Sequence, residues 1–244
     1  MNKFLTIAFF TAAAFPVMSA QSNYYLLDDE IKIVKLKDFM KPSIKNDKDA
    51  QFIKETINEF KKIHDDMITR GYVEEFNSTA RDLLTQENII HFKGSMGLKN
   101  KGLKQSISEL PIAYEYKTIP SNTYTNHLGF SNMGVYREIN QGYEKEGWTG
   151  VVELFVKDKL TCLYSEHNTK LAHGGNELIE EFLTYKVHNK PTIELVKGNN
   201  SSGYSYKVEW YEKGFDKKLD CANKTYSKDV LNSVISLAND IDLK

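Results

Sequence analysis

Between Asn46 and Gly71 apolar side chains return every three or four residues, at Phe52, Ile53, Ile57, Phe60, Ile63 and Met67. That spacing puts them on one stripe of an amphipathic helix. Asn46 can cap its start, and Gly71 suits the left-handed position beyond its end. Val73, Phe76, Ala80, Leu83 and Leu84 continue at helical spacing. Residues 21–110 therefore read as a mostly helical region, a hairpin or kinked pair, with a short strand expected within Tyr24–Lys37. The glycines and lysines of His91–Ser106 break the pattern and predict a loop, with a domain boundary near residue 110.

Beyond that boundary the period falls to two. Ile112–Ile119 reads as a strand and Ser121–Asn132 as an exposed polar loop. Gly134–Asn140 and Thr192–Lys197 read as strands. Two longer stretches resemble each other: GWTGVVELFVKDKLTC from Gly147 and GYSYKVEWYEKGFDKKLDC from Gly203, the second longer by three residues. Val152/Val208, Glu153/Glu209, Phe155/Tyr211 and Cys162/Cys221 fall at matching places, which predicts an internal duplication.

Alternation assigns the faces of each copy. Trp148, Val152, Leu154 and Val156 share one, opposed by Thr149, Glu153 and Lys157. In the second copy Tyr204, Tyr206, Val208 and Trp210 oppose Ser205, Lys207, Glu209 and Tyr211. This reads as an antiparallel sheet buried on one side. A three-residue turn at Lys157–Lys159 keeps the apolar side chains together, setting Leu154 opposite Cys162 and, by the repeat, Trp210 opposite Cys221.

A helix is expected after each cysteine strand. Gly174–Val187 carries Leu178, Ile179, Phe182 and Leu183 on one stripe, and Ser227–Ile241 carries Leu231, Val234, Ile235, Ala238 and Ile241. The predicted class is α+β: two β-β-β-α units, about 133–187 and 191–241, form an antiparallel sheet with helices on one face. They make up a domain over residues 111–244, preceded by the helical segment.

The N-terminus changes the picture from fold to compartment. Lys3, the apolar run Phe4–Met18, and small Ser19 and Ala20 before polar Gln21 have the form of a secretory leader over residues 1–20. A periplasmic or secreted location is expected, with no stable insertion in a membrane. In such a compartment two cysteines in the whole chain predict one disulfide, Cys162–Cys221. The net charge of −1 shows no basic excess of the kind nucleic-acid binders carry.

Candidate chemistry is thin. Gly97 and Gly102 have P-loop spacing, but Leu103 stands where lysine is required. Ser95 lies in a Gly-Ser-Met-Gly run one residue short of a nucleophile elbow. Glu166, His167, His173 and Glu177 crowd one connection and are weak metal candidates, without the paired histidines of one helix face. Glu153 and Glu209 oppose the apolar face and read as charge-paired. Phe155 and Tyr211 lie on that same otherwise polar face, and aromatic side chains there suit protein recognition. The leading expectation is an exported, non-enzymatic protein that binds a macromolecular partner through Phe155, Tyr211, Glu153 and Glu209, as an inhibitor, immunity or envelope accessory protein. It requires no cofactor. The alternatives are a hydrolase or metal-dependent enzyme using Glu166–Glu177, and a small-ligand carrier with its pocket between helices and sheet.

Overall fold

A computed structural model describes residues 31–39, 46–85 and 103–244. The expected leader over residues 1–20 and the His91–Gly102 part of the glycine-lysine loop lie outside them. In chain order the elements are β1 (Ile31–Val34), α1 (Asp47–Arg70), β2 (Val73–Glu74), α2 (Ser78–Thr85), β3 (Asn126–Arg137), β4 (Gly147–Lys157), β5 (Leu160–Asn168), β6 (Asn176–Ile179), β7 (Thr192–Asn199), β8 (Gly203–Glu212), β9 (Phe215–Asn223) and α3 (Lys228–Asp242). Seven strands form one sheet in the order β2-β7-β8-β9-β5-β4-β3. All its pairs are antiparallel except β2–β7. The class is α+β.

Two three-stranded meanders, β3-β4-β5 and β7-β8-β9, meet where β5 pairs with β9. Cys162 and Cys221 face each other across that seam, with Cα atoms 4.1 Å apart, and their sulfurs are bonded. The bridge joins the two meanders, as the repeated phrase predicts. It closes a loop of 59 residues, which on the chain-entropy account stabilises the fold by about 4 kcal/mol.

The internal register differs from the expectation. β4 and β5 are joined by a two-residue turn, Asp158-Lys159, so that Phe155 and not Leu154 faces Cys162. Asp158 takes the left-handed conformation such turns use, at φ 53°. In the second hairpin Lys213-Gly214 turns the chain, Tyr206 faces Cys221, and Trp210 faces Lys217. From cysteine to turn, β5 has three residues (162 to 160) and β9 has seven (221 to 215). Four extra residues on each arm preserve the faces of the cysteines but shift the match along the partner strand. Measured from the disulfide, Phe155 corresponds to Tyr206 and not to Tyr211. The sequence-matched pairs Val152/Val208, Glu153/Glu209 and Phe155/Tyr211 are thus an odd number of residues out of step and lie on opposite faces, whereas Cys162/Cys221 is in step.

Helices cover both faces of the sheet, not one. On the first, Val234, Ile235, Leu237, Ala238 and Ile241 of α3 pack on Phe155, Tyr164, Tyr206, Val208, Trp210 and Leu219. On the second, Phe60 and Ile63 of α1 meet Ile193, Leu195 and Tyr211, while Ala80 and Leu83 of α2 meet Val152, Leu154 and Ala222. Each fully buried aliphatic or aromatic side chain contributes roughly 1.5–3 kcal/mol. With both faces dry, alternation no longer separates core from surface and does not fix the register. Because β2 pairs with β7 and α2 packs on β5, β8 and β9, sheet contacts also cross the boundary expected near residue 110.

The capped helix forms as the pattern demands: Asn46 accepts the Asp49 amide at 3.0 Å, and Gly71 is left-handed at φ 80°. Phe52, counted in the apolar stripe, faces solvent. The following helical stretch divides into β2 and α2. Gly174–Val187 is not a helix. Its apolar residues Leu178 and Ile179 belong to β6, which pairs in parallel with β1, and a single 3-10 turn follows over Glu180–Phe182. The edge of β1 supplies hydrogen bonds that a lone amphipathic helix would otherwise have to make internally, and the tertiary partner overrides local propensity. Ser121–Asn132 is largely the first half of β3, with Phe130, Ser131 and Asn132 buried, and not an exposed loop. Residues 112–119 make only an isolated bridge, Ile112 to Trp148. They run as an extended strap that buries Ile119 on the α3 side.

Candidate functional site

The strap brings polar chemistry onto the α3 face. Residues 153 on β4 and 164 and 166 on β5 point to that face because they share the parity of Phe155 and Cys162. Glu153 has no exposed surface. One carboxylate oxygen accepts the Tyr116 hydroxyl at 2.7 Å and the Ile119 amide at 3.2 Å, so a single side chain holds the strap at two points. The other oxygen lies 3.3 Å from His127 Nε2, and neither of those two atoms makes a hydrogen bond. Burial raises the Glu153 pKa above the ordinary carboxylate range, against the opposing pull of its hydrogen-bond donors, His127 and Lys244.

Beside it, Tyr164 donates to Glu166 Oε2 at 2.7 Å. Lys244, two residues past α3, sends its Nζ back to the same oxygen at 3.4 Å. The amine lies 4.1 Å from the Tyr116 ring centre and 4.4 Å from that of Tyr164, and it donates to the Lys117 carbonyl at 2.6 Å. Its side chain is only 5% exposed. Burial pulls the Lys244 pKa down to about 8, although Glu166 and Glu153 both attract the charged form. Burial likewise pushes the hydroxyls of Tyr116 and Tyr164 well above the usual tyrosine range.

Outside this buried group the surface opens into a cleft of about 270 Å³, lined by Glu115, Lys117, Glu166, Glu212, Phe215, Lys217 and Lys244. Its charges are tied into a network. Glu212 accepts from Lys190 at 2.5 Å and from Lys217 at 2.6 Å, while Asp242 takes Lys190 at 2.8 Å and the Trp210 indole N–H at 2.8 Å. Hydrogen bonds from these cations hold the Glu212 and Asp242 pKa values low despite burial. Glu115 and Lys117 stand exposed at the lip of the cleft.

The residues singled out from sequence are scattered. Phe155 is fully buried under α3, and Tyr211 is buried on the α1 face. They are core side chains on opposite sides of the sheet and cannot form one recognition surface. Glu153 and Glu209 are likewise separated by the sheet: Glu209 accepts the Tyr211 hydroxyl at 3.0 Å. His167, His173 and Glu177 do not converge. His173 meets the Tyr143 hydroxyl at 2.6 Å, and Glu177 lies 3.7 Å from Lys32. Among the described residues no three His, Cys, Asp or Glu side chains are grouped to hold a metal ion.

His167 does occupy a suggestive position. Its Nε2 is 3.2 Å from the Thr149 hydroxyl, and its Nδ1 is 3.6 Å from Asp216. A hydroxyl, an imidazole and a carboxylate in that order form the relay of nucleophilic hydrolases. Here, however, Thr149 is wholly buried and its oxygen already accepts the Val135 amide, so no hydroxyl is presented to a substrate. The pocket expected between helix and sheet is filled by Trp210, Tyr164 and Tyr206, all without exposed surface.

Lys244, Tyr116 and Tyr164 were not legible as a group. The Tyr164-x-Glu166 spacing, with both residues on the cysteine face, was the one available signal; a lysine two residues past a helix carries none. No protein-family model, curated protein or solved structure matches this chain.

Proposed function

We propose that the protein is exported and non-enzymatic, and that it binds a macromolecular partner through the mixed-charge cleft at the end of β5 and β9. The observation that carries this reading is the lining of that cleft. Exposed Glu115 and Lys117 and the paired Glu212 and Lys217 surround half-buried Phe215. Fixed charges of both signs around an aromatic side chain select a partner by complementarity. At about 270 Å³ the cleft falls below the usual range of small-molecule pockets and suits one or two side chains of a larger partner. The disulfide supports export, and no helix among the described residues is long and apolar enough to cross a membrane.

The test is binding to a partner captured from native envelope or culture medium. Glu115→Lys combined with Lys117→Glu inverts the lip while leaving every buried contact in place. Affinity should fall about tenfold, or 1.4 kcal/mol, and the loss should shrink at high salt. A partner that binds the double variant as tightly as the wild type uses another surface, and the proposal fails.

A further inference from the structure

Lys244 and Glu166 are an amine and a carboxyl held in contact where neither is well solvated. Nζ sits 3.4 Å from Oε2, and the two side chains are 5% and 8% exposed. With so little surface, the amine is poorly placed to meet an external electrophile. The carboxyl group it touches is that of Glu166. We propose that this pair is a self-modification site, at which Lys244 and Glu166 condense to an intramolecular amide that ties the segment after α3 to β5.

The surroundings supply what the reaction needs. Condensation starts from a neutral amine and a neutral acid, which together carry the same protons as the ion pair. Transfer of one proton from Nζ to the carboxylate produces them, and burial of the amine favours its uncharged form. The lowered pKa of Lys244 agrees with that direction. The Lys117 carbonyl accepts an N–H at 2.6 Å and so orients the amine. The Tyr164 hydroxyl donates to Glu166 Oε2 at 2.7 Å, where it can stabilise the negative charge that develops as the carbonyl is attacked.

The steps balance without a co-reactant. The Nζ lone pair forms a bond to Cδ of the protonated carboxyl, and the carbonyl π electrons move onto the oxygen facing Tyr164. One proton passes from Nζ to the carboxyl hydroxyl. The Cδ–O bond to that group breaks with its electron pair, the carbonyl re-forms, and one water leaves. Nothing is oxidised or reduced. The cleft, lined by both residues, is the exit for that water. Well-oriented intramolecular reactions reach effective molarities of roughly 10⁵–10⁸ M, and the contact between this amine and this carboxyl acts in that direction.

The experiment is mass spectrometry of the purified full chain, reduced, denatured and digested. The expected result is a branched peptide joining the C-terminal residues to the β5 peptide through Lys244 and Glu166, lighter than its two parts by one water. Lys244→Met removes it. Glu166→Gln is the diagnostic variant: its amide can be attacked in the same way with loss of ammonia, so the branched peptide must have the same mass as in the wild type. Recovery of Lys244 as a free amine throughout, in freshly prepared and in aged wild-type protein, overturns the proposal. So does a water loss that maps to any other residue. The wild-type measurement decides the matter even if a variant does not fold.

Discussion

Replacing Glu153 by glutamine removes a buried charge while keeping the shape of the side chain. The wild-type carboxylate makes two hydrogen bonds to the strap, from the Tyr116 hydroxyl and the Ile119 amide. Bonds to a charged acceptor are worth about 1.5–3 kcal/mol each, against about 0.5–1.5 for neutral ones, so the substitution weakens both by roughly 1 kcal/mol. Against this stands the cost of holding a carboxylate with no exposed surface and one unpartnered oxygen, several kcal/mol for an ion in a dry site. The folded pKa is raised, so the carboxylate is the disfavoured form. The sign follows. Between the unfolded value near 4.5 and the higher folded one, the native state binds more protons than the unfolded state, and wild-type stability falls as pH rises through that window. Glu153→Gln has no such loss. Urea unfolding with the disulfide intact, at pH 4.5 and pH 7.5, should therefore show the variant gaining on the wild type as pH rises, and matching or exceeding it at pH 7.5. Glu153→Ala should lose about 2–4 kcal/mol at both, because the buried Ile119 amide is left without an acceptor. A glutamine variant that loses ground between pH 4.5 and 7.5 would falsify the assignment of desolvation as the dominant effect.

Other expectations are read from unfolding midpoints and slopes. Converting Cys162 and Cys221 together to alanine should cost about 4 kcal/mol and leave the native circular dichroism unchanged, since the seam is also hydrogen-bonded along β5–β9. Trp210→Phe keeps the ring in the core but removes one donor to Asp242, and should cost about 1–3 kcal/mol, with the larger part lost if Asp242 stays charged. Gly71→Ala should cost more than 1 kcal/mol. The residue is left-handed at φ 80° and a Cβ there would strike the Tyr226 hydroxyl, with the ring carbon Cζ still 2.8 Å away, so Gly71→Ala combined with Tyr226→Phe should recover only part of the steric cost.

Local patterns were readable wherever one face of an element met water. The α1 cap and its C-terminal glycine, the meander strands and α3 all came from period and punctuation. Reading failed where burial was two-sided. Glu153 and Phe155 looked like a polar face because Thr149 and Lys157 flank them, yet the strap and α3 cover that face as completely as α2 covers the other. The matching of Phe155 with Tyr211 failed for a related reason. Extra residues were added to both arms of the second hairpin, and sequence alignment from the leading glycines cannot see a shift that only the cross-strand partner of each cysteine reveals. Leu178 and Ile179 satisfy a helical stripe and a short strand equally well. Only the distant Ile31–Val34 decides between them. The candidate site was the least legible part, since Tyr116, Glu153, Glu166 and Lys244 come from four separate segments and none carries a local motif.

The two faces of the sheet are held by different physics, and this bears on where function can lie. The α1 and α2 side is closed chiefly by aliphatic and aromatic contact, with Phe60 stacked edge-on between Phe39 and Phe182. Ionisable groups are buried on both sides, Glu209 and Asp220 on the α1 and α2 side, but the α3 side gathers Glu153, Glu166 and Lys244 together beneath the strap, with Asp242 beside Trp210. An apolar core of the same volume would be as stable or more so, so stability alone does not account for a buried lysine, two buried glutamates and two tyrosine hydroxyls in one place. They all adjoin the segment 114–119, which has no sheet partner of its own; Glu153 and Lys244 anchor its second half, while Tyr114 donates to the Glu166 carbonyl at 3.2 Å and accepts from Lys145 at 3.4 Å. Loosening either anchor should therefore raise amide hydrogen exchange in residues 114–119 before it affects β4 or β5, whose backbone bonds are made within the ladder. Equal and simultaneous exchange in the strap and in both strands of Glu153→Ala would mean that the strap is part of the sheet's cooperative unit and not a separately anchored segment.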